Sequence, residues 1–409
     1  MKRLLLNTGR VARRSRTGGV SITVAILALF ALGGTVLAAE GAFSSNDDAW
    51  PYGMTGPVLA TVGDISCQPG SPLQKEKQTD VCDTTGRGDT KRTQAQSATA
   101  NQIEAMKPKL VAVLGDEQYQ VGRYEDFMGS FDHTYGAFKF LQRPAPGNHE
   151  FYTSHGQTGV GGYGYFGYYN GYQLNPDATP VTHPFTNSTG GTFTQPQPRQ
   201  DGQAGAFGTT GDGWYSYNLG AWHIISLNVE CAIQPGGCNP TGTWFARQTS
   251  WLARDLAGNH ARCTLAYWHQ PTFSSTASPT TSDSAEGQAA DAWWKLLYAH
   301  HADLVLNGHD HVYSRFAPMD PSGNLDPKRG LREFIVGTGG ESLDTVLPST
   351  PNLQAYADQY YGTMKLTLGH GGYAWDYQSA LEPDAPSGTP SSYGDTGFGR
   401  CHSPANWSN

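Results

Sequence analysis

Short apolar runs recur along the chain, and each breaks onto polar residues. Positions 58–62, 111–114, 264–268 and 303–307 are four or five residues long and mainly apolar, the last with Asp303 and Asn307 at its ends. Such runs suit strands buried on both faces, where no polar alternation is needed. Residues 138–146 form a further extended segment. Between the first two runs, residues 93–106 have helical composition, so the chain opens with a strand, helix, strand unit of an α/β domain. Residues 123–131 predict a short helix, 244–256 an amphipathic helix, and 291–299 another. Two alternating segments, 214–219 and 221–228, are joined by one glycine and read as an antiparallel pair. Positions 333–337, 364–368 and 373–379 add strands. The stretch 151–213 is rich in Gly, Tyr, Thr and Pro without helical period and reads as a functional or surface excursion.

The N-terminus changes the picture of compartment. Lys2, Arg3, Arg10, Arg13, Arg14 and Arg16 precede an apolar stretch at 20–32 and a small-residue ending at 36–39. This is the form of a secretory signal peptide over 1–39, followed by a polar linker at 40–56 and a single catalytic domain at 57–409. An uncleaved anchor is the rival reading, because 20–39 is about the 20 residues a membrane span needs. Cleavage would carry the formal charge from −8 to −14, since the leader holds six positive and no negative side chains. An acidic body without clustered Lys and Arg argues against a nucleic-acid partner. After cleavage no membrane partner is expected, and the oligomeric state is left open. Six cysteines, all beyond the leader, suit an oxidising, extracellular compartment. They allow 15 pairings. Proximity favours Cys67–Cys82 and Cys231–Cys238, leaving Cys263 with Cys401; free buried thiols are the alternative.

The polar residues at the run ends carry the chemistry. They are Asp64; Asp116 with Tyr119; Asn148 with His149; His269; and His309 with His311. One such residue is ordinary turn or cap chemistry. Five clusters at five strand ends of an α/β skeleton point instead to a shared site, because functional groups collect beyond the C-terminal ends of parallel strands. Carboxylate and phenolate oxygens suit a hard ion such as ferric iron, whereas imidazole and amide groups suit zinc, manganese or ferrous iron.

In order, Gly63-Asp64, Gly115-Asp116 with Tyr119, Gly147-Asn148-His149-Glu150, Tyr267-Trp268-His269 and Gly308-His309-Asp310-His311 resemble the motifs of the calcineurin-like metallophosphoesterases, and among them the purple acid phosphatases. Tyr119 discriminates: the wider superfamily carries a histidine two residues after the first Asp, where Ser66 stands here. The resemblance covers about 58–315. It implies a metallophosphoesterase fold, a four-layer α/β/β/α sandwich with two mixed sheets. It implies two metal ions: Fe(III) on Asp64, Tyr119 and His311, and Zn, Mn or Fe(II) on Asn148, His269 and His309, with Asp116 between them. His149 would be the catalytic acid and Glu150 an orienting residue. The implied activity is acid-phosphatase-like hydrolysis of a small phosphorylated substrate, a monoester, by a metal-bound hydroxide. Ser66 in place of the family's usual glycine departs from the pattern, as do Tyr267 and Trp268.

A phosphodiesterase on the same scaffold is the nearest alternative, and a non-catalytic metal- or phosphate-binding surface protein is the alternative from another class. Fold and metals do not fix substrate class. His133, His223, His260, His300, His301, His370 and His402 lack motif context and read as ordinary histidines. His155 follows the third motif and could line the pocket, and the aromatic-rich 151–172 could wall it or pack as a surface loop. Trp293 and Trp294 read as core-facing.

Overall fold

The structure is a computed structural model that describes residues 54–69, 82, 91–152, 160–186, 192–207, 212–276, 285–381 and 390–402. The expected leader, most of the linker and His155 lie outside the described residues. Among the described residues no helix is long and apolar enough to cross a membrane.

Two mixed sheets form the body. The first contains β1 (Val58–Val62), β2 (Leu110–Val113), β3 (Gln142–Pro144), β13 (Gly362–Leu368), β14 (Gly372–Ser379) and β15 (Gly394–Arg400), in the order β15-β14-β13-β1-β2-β3. Strands β1, β2 and β3 are parallel and the remaining pairings antiparallel. The second sheet contains β6 (Tyr215–Leu219), β7 (Trp222–Ser226), β8 (Cys263–Tyr267), β9 (Leu304–Asn307), β10 (Tyr313–Phe316), β11 (Arg332–Val336) and β12 (Leu353–Ala357), in the order β12-β10-β11-β9-β8-β7-β6. Its strands β7, β8, β9 and β11 are parallel. A separate hairpin pairs β4 (Thr182–Thr186) with β5 (Thr192–Pro196).

The period of two in a strand explains the layering. In β2 and just beyond it, Ala112 and Leu114 join a core shared with Leu265, Leu304 and Leu306 of the other sheet. Their neighbours Val111 and Val113 face away, onto Ile103 of helix Lys91–Met106 and the aromatic group of Phe127, Phe131 and Tyr135. On the second sheet Ala266 and Val305 face Leu252 and Leu256 of helix Thr243–Gly258 and Trp293, Trp294 and Leu297 of helix Ala285–Ala299. Both tryptophans are fully buried, as expected. Full burial of a large apolar side chain is worth about 1.5–3 kcal/mol. The result is the four-layer α/β/β/α sandwich.

Several boundaries differ from the sequence reading. The strand expected over 138–146 shrinks to Gln142–Pro144, because 135–141 coils as a 3-10 helix continuing the helical turns from Tyr124. Pro144 and Pro146 lack the N–H groups that would extend a ladder. The excursion 151–213 is not without helix: Tyr163–Asn170 is one turn-rich helix whose Tyr165, Phe166 and Tyr168 pack into the core. Strands β4 and β5, within the same excursion, and β10, β12 and β15 are not predicted by the sequence.

The two cysteine pairs favoured by proximity form, Cys67–Cys82 and Cys231–Cys238, and so does the pair they leave, Cys263–Cys401. The last spans 138 residues and ties the start of β8 to the end of β15.

Candidate metal centre

The C-terminal ends of β1, β2, β3, β8 and β9 meet at one edge of the sandwich. The loops there hold one another through the backbone: Gly63 N–H donates to Val336 O at 2.9 Å, Asp64 N–H to Gly115 O at 3.1 Å, and Gly308 N–H to His269 O at 3.1 Å. This crowding explains the glycines before the polar residues. A Cβ on Gly115 would lie 2.5 Å from His269 Nδ1, and Gly115 has a φ of 91°, a conformation open chiefly to glycine. Asp64, Asp116 and His309 themselves adopt φ of 60°, 48° and 67°. Asp and His are among the residues that tolerate this region best.

The structure brings every expected donor together. Tyr119 Oη lies 2.9 Å from Asp64 Oδ1, 3.0 Å from Asp116 Oδ2 and 3.1 Å from His311 Nε2. His269 Nε2 lies 3.1 Å from Asp116 Oδ2, 3.2 Å from Asn148 Oδ1 and 3.2 Å from His309 Nδ1. Asn148 Oδ1 is 3.1 Å from His309 Nδ1. Asp116 Oδ2 therefore belongs to both groups.

Each carboxylate is aimed by its other oxygen. Asp64 Oδ2 accepts His309 N–H at 2.9 Å, and Asp116 Oδ1 accepts His149 N–H at 2.9 Å. The imidazoles are aimed similarly: His269 Nδ1 meets Leu114 O at 2.9 Å and His311 Nδ1 meets Ser342 O at 2.7 Å. A carbonyl can only accept, so these nitrogens carry the hydrogens and the Nε2 atoms face the cluster. Asn148 donates from Nδ2 to Tyr152 Oη at 2.6 Å, which turns its oxygen inward. Glu150 is fully buried and accepts the N–H groups of Asp116, Gln118 and Gly147 at 3.0, 3.3 and 2.8 Å. It thus fastens the two ligand loops to each other.

This arrangement concentrates lone pairs and asks for positive charge. Burial works to raise the Asp116 carboxyl, yet His269 and His149 outweigh it and hold it well below the usual carboxylate range. Burial works to lower His269, yet Asp116 outweighs it and pushes it up to about 10. Among the described residues, Asp116, His269 and His309 have donor atoms within 4.8 Å of one another, near enough to hold one cation. Tyr119 has one hydrogen for two carboxylate oxygens, so its group also fits a cation. Cys263, Asp303 and Cys401 cluster too, but both sulfurs are committed to a disulfide.

Residues 62–313 match the calcineurin-like phosphoesterases. The chain belongs to that family. Members typically bind two metal ions, and the two donor groups described above are where this calcineurin-like phosphoesterase could hold them. The chain is 32% identical over 131 residues to purple acid phosphatase 15 of Arabidopsis thaliana, covering 31% of this chain and 22% of that one. It is 26% identical over 171 residues to acid phosphatase A of Cryphonectria parasitica, covering 37% and 33%. The chain thus spans about a fifth to a third of the length of these relatives. The solved structure of PhoD superposes with a TM-score of 0.54 at 13% identity, covering 85% of this chain and 70% of that one, a likeness of fold alone.

His149 sits at the rim. Its ring lies between those of Tyr119 and Tyr152, with centroids at 4.2 and 4.5 Å, and Nδ1 meets Gln120 O at 2.8 Å. Nε2 is 3.8 Å from Asp116 Oδ2. Beside Asn148 and His309 opens a cleft of about 220 Å³ whose wall includes Glu230, Gln270 and Glu286, which carried no motif signal. Glu230 follows the end of β7, so position beyond a parallel strand was its one available cue. Burial pushes its carboxyl up to about 8, against the lowering effect of His269. A larger cleft of about 770 Å³ lies at the other ends of β7 and β8. There His223 is committed to Asn218 and Asp255, at 2.9 and 2.7 Å, so it is a structural histidine.

Proposed function

We propose that the chain is an exported binuclear-metal phosphatase that hydrolyses phosphate monoesters. The observation that carries the reading is Asp116 Oδ2, placed 3.0 Å from Tyr119 Oη and 3.1 Å from His269 Nε2 so that one carboxylate serves two donor groups. Asp64, Tyr119 and His311 would complete a site for a hard ion, Fe(III). Asn148, His269 and His309 would complete one for Zn, Mn or Fe(II). When bound, two such ions supply Lewis acidity and make a water-derived nucleophile available near neutral pH.

The chain's own residues do the rest. Hydrogen bonds to Asp64, Asp116, His269 and His311 fix the donors before substrate arrives, which avoids reorganisation during reaction. His149, anchored at Nδ1, presents Nε2 at the rim and there gives a proton to the leaving oxygen. Three disulfides agree with export.

The test is hydrolysis of 4-nitrophenyl phosphate and bis(4-nitrophenyl) phosphate by the metal-loaded protein, with metal content measured alongside. Monoester preference with two ions bound is expected. Diester preference would move the reading to a phosphodiesterase, and no turnover on either with metals bound would overturn it.

A further inference from the structure

The cleft beside Asn148 and His309 contains a carboxylate whose burial the metal centre does not explain. Glu230 is 3% exposed, and its Oε1 has no hydrogen-bond partner among the described residues. Gln270, also 3% exposed, leaves its own Oε1 unpartnered in the same wall. A buried polar atom left unpaired costs about 1–3 kcal/mol, so such atoms normally meet a partner.

The scaffold holds Glu230 in place. Its N–H donates to Asn228 Oδ1 at 3.0 Å. Asn228 is clamped to helix Thr243–Gly258 by two bonds with Gln248, at 2.9 and 2.7 Å. The next residue, Cys231, is fully buried and bonded to Cys238. A carboxyl group so firmly placed in a cleft wall, with a buried oxygen left unpaired, is organised for a ligand.

Charge and size narrow that ligand. The wall carries Glu230 and Glu286 and neither Lys nor Arg among the described residues. Glu286 disfavours an anionic group here, and an ammonium group set against Glu230 would favour its ionised form, opposing the effect of burial. A cleft of about 220 Å³ has room for a small alcohol.

We propose that this cleft is a leaving-group subsite in which Glu230, assisted by Gln270 and Glu286, binds the ammonium group of an O-phosphorylated amino alcohol. The inference rests on the phosphatase reading, because it places the ester oxygen at the rim where Asn148 and His309 meet the cleft.

The experiment compares kcat/KM of the metal-loaded full chain for 2-aminoethyl phosphate, 2-hydroxyethyl phosphate and propyl phosphate, with 4-nitrophenyl phosphate in parallel. The aminoethyl ester should exceed propyl phosphate at least tenfold. Glu230→Gln should bring that ratio to within about threefold of unity, and Glu286→Gln should reduce it. Turnover of the nitrophenyl ester with a wild-type ratio near one overturns the subsite and leaves the phosphatase reading standing. No turnover of any ester overturns the phosphatase reading itself. Preference for the hydroxyethyl ester refutes a cationic ligand. If Glu230→Gln does not fold, Glu286→Gln decides, since Glu286 lies in the first turn of its helix and is partly exposed; an unchanged ratio there overturns the proposal.

Discussion

Replacing His149 separates proton delivery from every other role the metal centre could give it. In His149→Ala the backbone N–H that holds Asp116 Oδ1 at 2.9 Å survives, and so does the placement of the ligand carboxylate. What is lost is an imidazole anchored at 2.8 Å to Gln120 O and packed between Tyr119 and Tyr152. General acid catalysis contributes about 10²–10⁴-fold, or about 3–5 kcal/mol of barrier. That full loss applies only where the leaving oxygen needs a proton. Propyl phosphate, which leaves as a strongly basic alkoxide, should therefore lose about 10²–10⁴ in kcat, whereas 4-nitrophenyl phosphate should lose less than about tenfold. The assay is steady-state turnover of both esters at matched metal content. The lost ring contacts, about 0.5–1.5 kcal/mol per aromatic pair, enter stability and are read separately from melting. Equal losses on the two esters would show that His149 positions the phosphate without protonating the leaving group, and no loss on either would remove it from the reaction.

Tyr119→Phe removes an oxygen that faces three other donors within 3.1 Å, and should abolish any visible phenolate-to-iron absorbance and lower iron content; an unchanged spectrum in an iron-containing variant would defeat the iron assignment. Replacing Cys263 and Cys401 together by Ala should cost about 2–5 kcal/mol, because the bridge closes a loop of 138 residues; unchanged denaturant midpoints for oxidised wild type and variant would contradict this. Glu333 is fully buried, with Oε2 unpartnered among the described residues, and burial holds its carboxyl well above the ordinary range. A folded-state value above the unfolded one means that the folded protein holds the proton longer, so its contribution is intact below the unfolded pKa and is lost as pH rises through the folded value. Glu333→Gln should consequently melt higher than wild type at pH 8 and alike near pH 4, and the reverse order at pH 8 would refute the assignment.

The parts legible in the sequence are those where one local constraint dominates. Strands β1, β2, β8 and β9 are buried on both faces, so three or four apolar residues announce each whatever lies around it. Strand β15 shows the opposite case. Its residues alternate between exposed and half-buried, and three of its seven are glycine, because it lies at the edge of its sheet and pairs on one side only. Strand β3 is shorter than the sequence predicts for a related reason: Tyr135 and Phe138 are buried with Phe127 and Phe131, and an apolar stretch alone does not separate a 3-10 turn from a strand.

The donors and the cleft beside them differ in the same way. Asp64, Asp116, Asn148 and His309 each follow a glycine, because five loops converge and one loop's backbone lies where another residue's Cβ would be; a Cβ on Gly147, for instance, would come within 2.3 Å of Asp116 Oδ1. The crowding that makes the centre work is what writes Gly-Asp and Gly-Asn into the chain. Glu230 answers to no such constraint. Its position is fixed through Asn228, Gln248 and a disulfide, partners from 1 to 18 residues away that leave no fixed spacing to find. Chemistry common to a fold's ligand loops therefore surfaces as motif, whereas the groups that would select one alcohol over another emerge only once the helix, the loop and the strand end are seen side by side.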